Sequence, residues 1–338
     1  MAKPWTLPEM LQASGSYWTS CALQAGVQLD VFTLLDNLAK EGKKSTVTDI
    51  ARTLGLNERA FGMLATALVA LGLLERDGET LLLPEHSRLG LSRNSESYVG
   101  FIIKHHSHIM PAWTKLTDAV KTGGPMREVS SSDTESEAER EAFLMGMFNV
   151  AMNQAEKVAA AFDLSGAKRL LDLGGGPGTY AVFFSLANPQ LRATIFDLPT
   201  SEKFAMGVIK RFKVEDRVDF TGGDFLADSL PKGYDVAWLS QILHGDTPQE
   251  AADVVKKAAK TLNKGGLVAI QEFILDDDRN GPVHPTLFGL NMLVGTHGGQ
   301  TYTWSELETL LRDAGAVSVR RLDVDLPMGC GIIIGQFA

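Results

Sequence analysis

The feature that most constrains this chain is a change of pattern at Lys168. From there on, short apolar segments alternate with helical ones. The candidate strands are Arg169–Leu173, Ala193–Phe196, Val218–Phe220, Asp235–Leu239 and Leu267–Phe273. Each is almost continuously apolar, as in a parallel sheet covered by helices on both faces. One intervening helix is well marked. Thr247 can cap it, Pro248 suits its first turn, and Glu250 completes a Thr-x-x-Glu capping box. Gly265-Gly266 is expected to end that helix. The chain closes with Val317–Asp323 and Gly331–Phe337, and the stretch between them around Leu326-Pro327-Met328 is too short for a helical crossover. That last pair must therefore run antiparallel. The expected class is α/β, Rossmann-like, with an antiparallel last strand.

A length of 338 residues exceeds one ordinary core. Two domains are expected: residues 1-99, mainly helical, and residues 100-338, with a helical linker over 100-164 and the Rossmann-like core over 165-338. In the first, apolar residues recur at helical spacing from Trp18 to Leu38. A short helix follows, then a turn at Gly55, a second helix through Leu71, and a small hairpin over Glu75–Leu83 turning at Asp77-Gly78. Helix, turn, helix, hairpin is a winged-helix pattern, which can bind DNA. A DNA reader, however, needs Lys and Arg on its second helix to neutralise phosphates. Between Asn57 and Gly72 the only basic residue is Arg59. That helix instead carries Phe61, Met63, Leu64, Leu68, Val69 and Leu71. A helix apolar nearly all round is buried or packed on a partner.

The net charge of -9 also disfavours nucleic acid and anionic membranes as partners. Cys21 and Cys330 are the only cysteines, so a disulfide framework is not expected and a reducing, cytoplasmic setting is. Met1 to Pro8 lacks the pattern of a signal peptide. No apolar run approaches the ~18 residues that span a bilayer. Ser130–Glu137 is polar and reads as an exposed loop. Phe143–Phe162 reads as one Met-rich helix, carrying Met145, Met147, Phe148 and Met152, either to fill a core or to line a pocket.

The first strand runs straight into Gly174-Gly175-Gly176-Pro177-Gly178. Glycines there let a ligand approach the backbone and let φ turn positive. Ligands of open α/β sheets bind at this carboxyl edge. The next strand ends in Asp197, whose carboxylate can accept both hydroxyls of a ribose. A dinucleotide fingerprint would need its third glycine at Thr179; the spacing here is Gly-x-Gly-x-Gly with Pro177 inside it. That spacing and the antiparallel ending favour S-adenosylmethionine over NAD.

Several stretches now stand in order: Asp172-Leu173-Gly174-Gly175-Gly176-Pro177-Gly178, Phe196-Asp197-Leu198-Pro199, Gly223-Asp224-Phe225, and Ile242-Leu243-His244 before a helix. Together they resemble the caffeic-acid and hydroxyindole type of small-molecule O-methyltransferase. The resemblance covers nearly the whole chain, because the N-terminal segment is similar to that family's dimerisation domain. It implies an S-adenosylmethionine-dependent homodimer acting on a small aromatic or polyketide-like acceptor. It implies that Gly174 lies beside the methionine portion of the cofactor, that Asp197 holds the ribose, and that Asp224 bonds the adenine amino group with Phe225 against the ring. Gly176, Leu198 and Ser240 complete the expected cofactor contacts. Without the resemblance, Asp224 reads equally well as a turn residue and Phe225 as core.

His244 follows the fourth strand at the same edge. A neutral imidazole there can take the proton of a phenol or enol; read from position alone, it is a turn-capping histidine. The resemblance makes it the general base. Glu272, at the end of the neighbouring strand, can accept from the imidazole N–H and fix its tautomer. The resemblance also places Met292 and His297 over the acceptor, with Phe143 and Met147 walling the same pocket. The chain departs from the family at three positions: Thr301 stands where a second acid is common, Gly245 where an Asp is common, and Ser240 where a basic residue is common. His105, His106 and His108 lack an i, i+4 pair or supporting ligands, so no metal is expected. Two rival readings remain open: the same cofactor with a carbon, nitrogen or sulfur acceptor, and a winged-helix regulator with a ligand-sensing domain.

Overall fold

The computed structural model describes residues 4–43, 45–126 and 136–338. The chain forms two compact units, Met1–His108 and Ile109–Ala338. The first contains α1 (Leu7–Ser14), α2 (Tyr17–Gln28), α3 (Val31–Lys40), α4 (Val47–Leu54), α5 (Glu58–Ala70), the antiparallel hairpin β1 (Glu75–Asp77) and β2 (Thr80–Leu82), and α6 (Glu85–Leu91). Helix α7 (Gly100–Trp113) spans the division between the units. The single helix expected over Trp18–Leu38 is two. The chain breaks at Leu29 and Asp30, and Asp30 takes φ 59, a left-handed conformation that stops α2 and starts α3. The turn after α4 is a Gly55 at φ 67, where a residue with a Cβ would be strained. Val31, Phe32, Leu35, Ile50, Phe61, Leu68, Leu74 and Leu81 close one core here. Met63, expected among the packed face of α5, is exposed.

In the second unit, α8 (Leu116–Thr122) precedes α9 (Glu137–Met152) and α10 (Ala155–Ala161). The helix expected over Phe143–Phe162 is broken at Asn153 and Gln154. Of the polar stretch 130–137, Ser136 caps α9 and Glu137 opens it; the remainder lies outside the described residues. Then come β3 (Arg169–Leu173), α11 (Thr179–Ala187), β4 (Arg192–Asp197), α12 (Glu202–Phe212), β5 (Val218–Gly222), β6 (Tyr234–Ser240), α13 (Pro248–Ala259), β7 (Leu262–Leu275), α14 (Val283–Gly295), β8 (Tyr302–Thr303), α15 (Trp304–Asp313), β9 (Ser318–Arg321) and β10 (Cys330–Gln336). They build an eight-stranded sheet ordered β5-β4-β3-β6-β7-β10-β9, with β8 paired on β7. The order reverses between β3 and β6, so the carboxyl ends of these strands form a crevice. Strands β3 to β7 pair in parallel, and β10 runs antiparallel to both β7 and β9.

The Thr247–Glu250 capping box forms as expected at the start of α13. The expected helix stop at Gly265-Gly266 is wrong. The helix ends at Ala259, and both glycines lie within β7. A Cβ on Gly266 would sit 2.9 Å from the Asn263 carbonyl oxygen and 3.1 Å from that of Asp235, so the glycine serves close strand approach rather than termination.

The sheet buries side chains on both faces. One face packs Trp238 against the rings of Tyr180, Phe184 and Phe162, with centroids 5.2, 4.9 and 6.0 Å away. The other packs Leu171, Leu239 and Ile270 under Val254, Val255 and Ala258 of α13 and Leu307 and Leu311 of α15. Trp238 is fully buried at the centre of the sheet. Trp238→Ala should therefore cost about 3–5 kcal/mol of unfolding free energy, as large core truncations do. Urea denaturation of the two proteins checks this; a loss below about 1 kcal/mol would contradict the central role assigned to the ring.

Candidate active site

The crevice is lined by the ends of five parallel strands, and the sequence supplies a polar residue to each. After β3 the glycine turn takes φ 65, 51 and 74 at Gly174, Gly176 and Gly178. Only glycine adopts such angles without cost. The turn is also tight on every side. A Cβ on Gly174 would lie 2.7 Å from Ile242 and 3.3 Å from Phe225, and one on Gly175 would lie 2.6 Å from the Asp172 carboxyl. Leu144 of α9 covers Gly176, within 3.5 Å of where its Cβ would be. The turn thus presents bare backbone to the crevice, and α9 lies directly over it.

Asp197, at the end of β4, braces this turn. Its Oδ2 accepts from the Gly176 N–H at 2.8 Å. Its Oδ1 accepts from the Leu198 N–H at 2.8 Å and the Ser201 hydroxyl at 2.7 Å. A carboxylate has roughly four lone-pair sites, so capacity for a further donor remains. Burial pushes the Asp197 carboxyl above its usual range, against the opposing bonds from Ser201, Gly176 and Leu198. Asp172 is fully buried below the turn, and burial raises it to about 7. After β5, Asp224 Oδ1 accepts from the Leu226 N–H at 2.8 Å, and Lys257 Nζ holds the Phe225 carbonyl at 2.9 Å. Phe225 and Ile242 then meet at Gly174. Backbone freed by glycine, a braced carboxylate, a second carboxylate and an apolar ring suit an adenosyl sulfonium: cationic at sulfur, hydroxyl-bearing at the ribose and flat at the base.

At the end of β6 the chain makes a tight turn over Leu243–Gly245. Glu272, on β7, is 1% exposed in its side chain, and among the described residues the hydrogen bonds of its carboxylate all go to this turn. Its Oε1 accepts from the backbone N–H of Leu243 at 3.1 Å and of His244 at 3.4 Å. Its Oε2 accepts from His244 Nδ1 at 2.7 Å. Parallel pairing of β6 with β7 brings together two residues that lie far apart in sequence. A carboxylate cannot donate, so Nδ1 carries the hydrogen and Nε2 keeps its lone pair.

Glycine again permits the close approach. A Cβ on Gly299 would lie 2.3 Å from the His244 carbonyl oxygen, and one on Gly298 would lie 2.6 Å from Thr247. Asp246, which follows the turn, is raised to about 6 by burial first, then by Glu250 and Asp224, with His244 pulling the other way.

Ser240 ends β6, with its hydroxyl 3.3 Å from Gln271 Oε1. Thr301 is buried and supplies no carboxylate to the imidazole. Gly174, Gly176, Asp197, Leu198, Asp224, Phe225, Ser240, His244 and Glu272 therefore all lie along one sheet edge. The residues read as walls are more scattered. Met292 is buried on α14, Met147 is half-buried on α9, and Phe143 and His297 are exposed. Phe288 is not among the residues expected at the site. Its ring stands edge-on to His244 at 4.7 Å and 82°, and packs on Phe273 at 4.6 Å. Its one signal was the four-residue spacing to Met292, which puts both on one stripe of α14. Ser201, Ile242 and Asp246 were also missed.

Comparison with known proteins identifies the family. Residues 113–316 match the O-methyltransferase domain family, and residues 11–87 match the O-methyltransferase dimerisation domain. The chain is 34% identical over 325 residues to the 3-hydroxy-5-methyl-1-naphthoate 3-O-methyltransferase of Streptomyces sahachiroi, covering 94% of this chain and 92% of that one. It is 33% identical to the acetylserotonin O-methyltransferase of Gallus gallus over 328 residues, 92% of this chain and 93% of that one. Among solved structures, human N-acetylserotonin methyltransferase in complex with S-adenosylmethionine aligns over 100% of both chains with a TM-score of 0.86 and 28% identity. PigF with S-adenosylhomocysteine aligns over 98% of this chain and 100% of that one, with a TM-score of 0.88; at 24% identity it supports the fold alone. The paired family matches and the full-length relatives place this chain in the family of S-adenosylmethionine-dependent O-methyltransferases that carry an N-terminal dimerisation domain.

Proposed function

We propose that this methyltransferase acts on the hydroxyl of a flat aromatic or polyketide-like acceptor, with His244 as general base. The observation that carries the reading is the 2.7 Å bond from His244 Nδ1 to the buried Glu272, which leaves Nε2 free at the edge that holds the glycine turn. Bound S-adenosylmethionine supplies an electrophilic methyl group. Asp197 would accept the ribose hydroxyls, Asp224 the adenine amino group, and Gly174 would face the methionine portion. His244 Nε2 would take the acceptor proton as the methyl group passes to the acceptor oxygen, the sulfur–methyl bond breaking to leave a neutral thioether, and the resulting imidazolium would be paired with Glu272. Holding oxygen and sulfonium in line supplies more than the base does, about 7–11 kcal/mol in well-oriented systems. Phe288, Phe273 and Met292 provide the apolar surface for a ring.

Three expectations follow from the reading. Asp197→Ala should weaken S-adenosylmethionine and S-adenosylhomocysteine alike by ~10–100-fold, the worth of a charged hydrogen bond. Calorimetry that shows unchanged affinity would remove Asp197 from the cofactor site.

His244→Ala should lower turnover by ~10²–10⁴-fold, with cofactor affinity nearly unchanged. Glu272→Gln should approach the same loss. The two backbone N–H groups hold its amide oxygen, so its NH₂ faces Nδ1 and drives the hydrogen to Nε2. Both losses should shrink for acceptors with acidic hydroxyls, which ionise unaided. Methyl transfer to a panel of phenols, with products identified by mass, reads all of this. Full turnover by His244→Ala on its best acceptor, or a product methylated at carbon or nitrogen, would overturn the assignment.

We also propose a homodimer. Leu7, Met10, Leu11, Tyr17 and Trp18, on α1 and α2, are all exposed in the single chain, and exposed apolar surface of this kind marks an interface. The match to a dimerisation domain begins at residue 11. Light scattering at micromolar concentration should give the mass of two chains, and Trp18→Asp should shift it toward one. A single-chain mass for the intact protein would contradict the dimer.

A further inference from the structure

The acceptor side of the site holds an imidazole that the reaction above does not use. His284 lies in the first turn of α14, on the same helical stripe as Phe288 and Met292. Its ring stands edge-on to Phe273 at 4.7 Å and 67°. It lies nearly parallel to Phe288, 22° between planes and 6.2 Å between centroids. Phe288 in turn meets His244 at 4.7 Å. The rings of Phe288 and Phe273 thus link two imidazoles: His244, tied to Glu272, meets Phe288, and His284 meets Phe273. Among the described residues neither ring nitrogen of His284 has a hydrogen-bond partner. The side chain is half-buried, and that burial pushes its pKa below the usual histidine range. The ring nitrogens are not among the fully buried unpartnered atoms, so they are open to an incoming ligand and are not committed to another protein group. A ligand oxygen reaching this ring would supply the missing bond.

We propose that His284 is a specificity residue, donating a hydrogen bond to a second oxygen substituent, a carboxylate or a ketone, on the same aromatic acceptor whose hydroxyl faces His244. This rests on the aromatic-acceptor reading given above. Phe273 packs edge-on against the imidazole at 4.7 Å and is itself backed by Phe288 at 4.6 Å, so one face of the His284 ring is fixed before the acceptor arrives. An acceptor bearing only a hydroxyl leaves the His284 N–H unmet, and a site built to bond an oxygen discriminates against the ligand that lacks it.

The test measures acceptor binding to the full-length protein with S-adenosylhomocysteine bound, using three probes. One is a naphthol; the others are a hydroxynaphthoate and a hydroxyacetonaphthone of the same ring system. Wild type should bind the carboxylate or the ketone ~10–100-fold tighter than the naphthol, the range expected for one hydrogen bond to a neutral or a charged partner. Preference for the carboxylate alone identifies an anionic substituent; preference for both identifies a carbonyl-type oxygen. His284→Ala should erase the preference while leaving naphthol affinity and S-adenosylhomocysteine affinity unchanged. His284→Gln, which keeps an N–H donor, should restore part of it. In turnover the loss should appear in KM for the oxygen-bearing acceptors, not in kcat on naphthol. No preference in wild type, or a preference that survives His284→Ala, overturns the proposal while leaving the base assignment intact. Failure of wild type to bind or methylate any of the three overturns the aromatic-acceptor reading, and this inference with it.

Discussion

A carboxylate buried to 1% exposure at the end of a strand is tolerable only if every lone pair that faces the protein finds a donor. Glu272 imposes that condition on its surroundings. Its donors are two successive backbone N–H groups and one ring nitrogen, all from the turn that follows β6. The turn must therefore be tight, must sit directly beside β7, and must hold the imidazole in one tautomer. Parallel pairing of β6 and β7 meets the second requirement, with Ser240 opposite Gln271. Gly298 and Gly299 contribute by letting the loop after α14 lie against the His244 backbone. Removing either partner would leave a buried charge or an untethered ring, so the pair has a structural role beside the catalytic one proposed for it.

The same edge gathers other acids. Burial raises Asp172 to about 7 and Asp246 to about 6, and lifts Asp197 as well. Each would resist ionising in isolation, and each stands near another: Asp197 raises Asp172, and Asp224 raises Asp246. A cationic sulfonium brought to this edge opposes that mutual repulsion, whereas an anionic pyrophosphate would add to it. The glycine turn tells the same story from its shape. Gly178, at φ 74, has Ile195 2.1 Å from where its Cβ would be, so the start of α11 is pressed onto β4 and the turn leaves little depth. Charge and shape thus agree with the family assignment.

What could be read from the sequence was whatever local chemistry fixes. Thr247 and Glu250 announced a helix start because a capping box is a contact between near neighbours. The glycine turn and Asp197 were legible because a strand leading into closely spaced glycines has few other uses. The antiparallel ending followed from a connection too short to cross over. What failed depended on distant contacts. Gly265-Gly266 reads as a helix stop, yet Gly266 answers to Asp235, a residue of the neighbouring strand. The breaks at Asp30 and at Asn153 interrupt runs whose apolar spacing continues across them. Phe288 was invisible because only the packing of α14 on the end of β7 brings it to His244.

The three departures from the family pattern give the site its particular character. Thr301, Gly245 and Ser240 are all uncharged where relatives of this type commonly bear charge. Among the described residues Glu272 is consequently the only carboxylate hydrogen-bonded to the base. One partner fixes the tautomer, but it leaves the ring free to swing about that single bond unless something braces its other side. Phe288 is that brace, edge-on to the imidazole and itself wedged against Phe273. Orientation that a second acid would have supplied electrostatically is here supplied by packing. Packing acts on the acceptor too, since the phenyl ring that steadies His244 is the surface an aromatic acceptor would rest on. A misplacement of about 1 Å in such a site can cost ~10²-fold, so on the proposed mechanism the aromatic cluster around Phe288 would act on the rate through position as much as on affinity through contact.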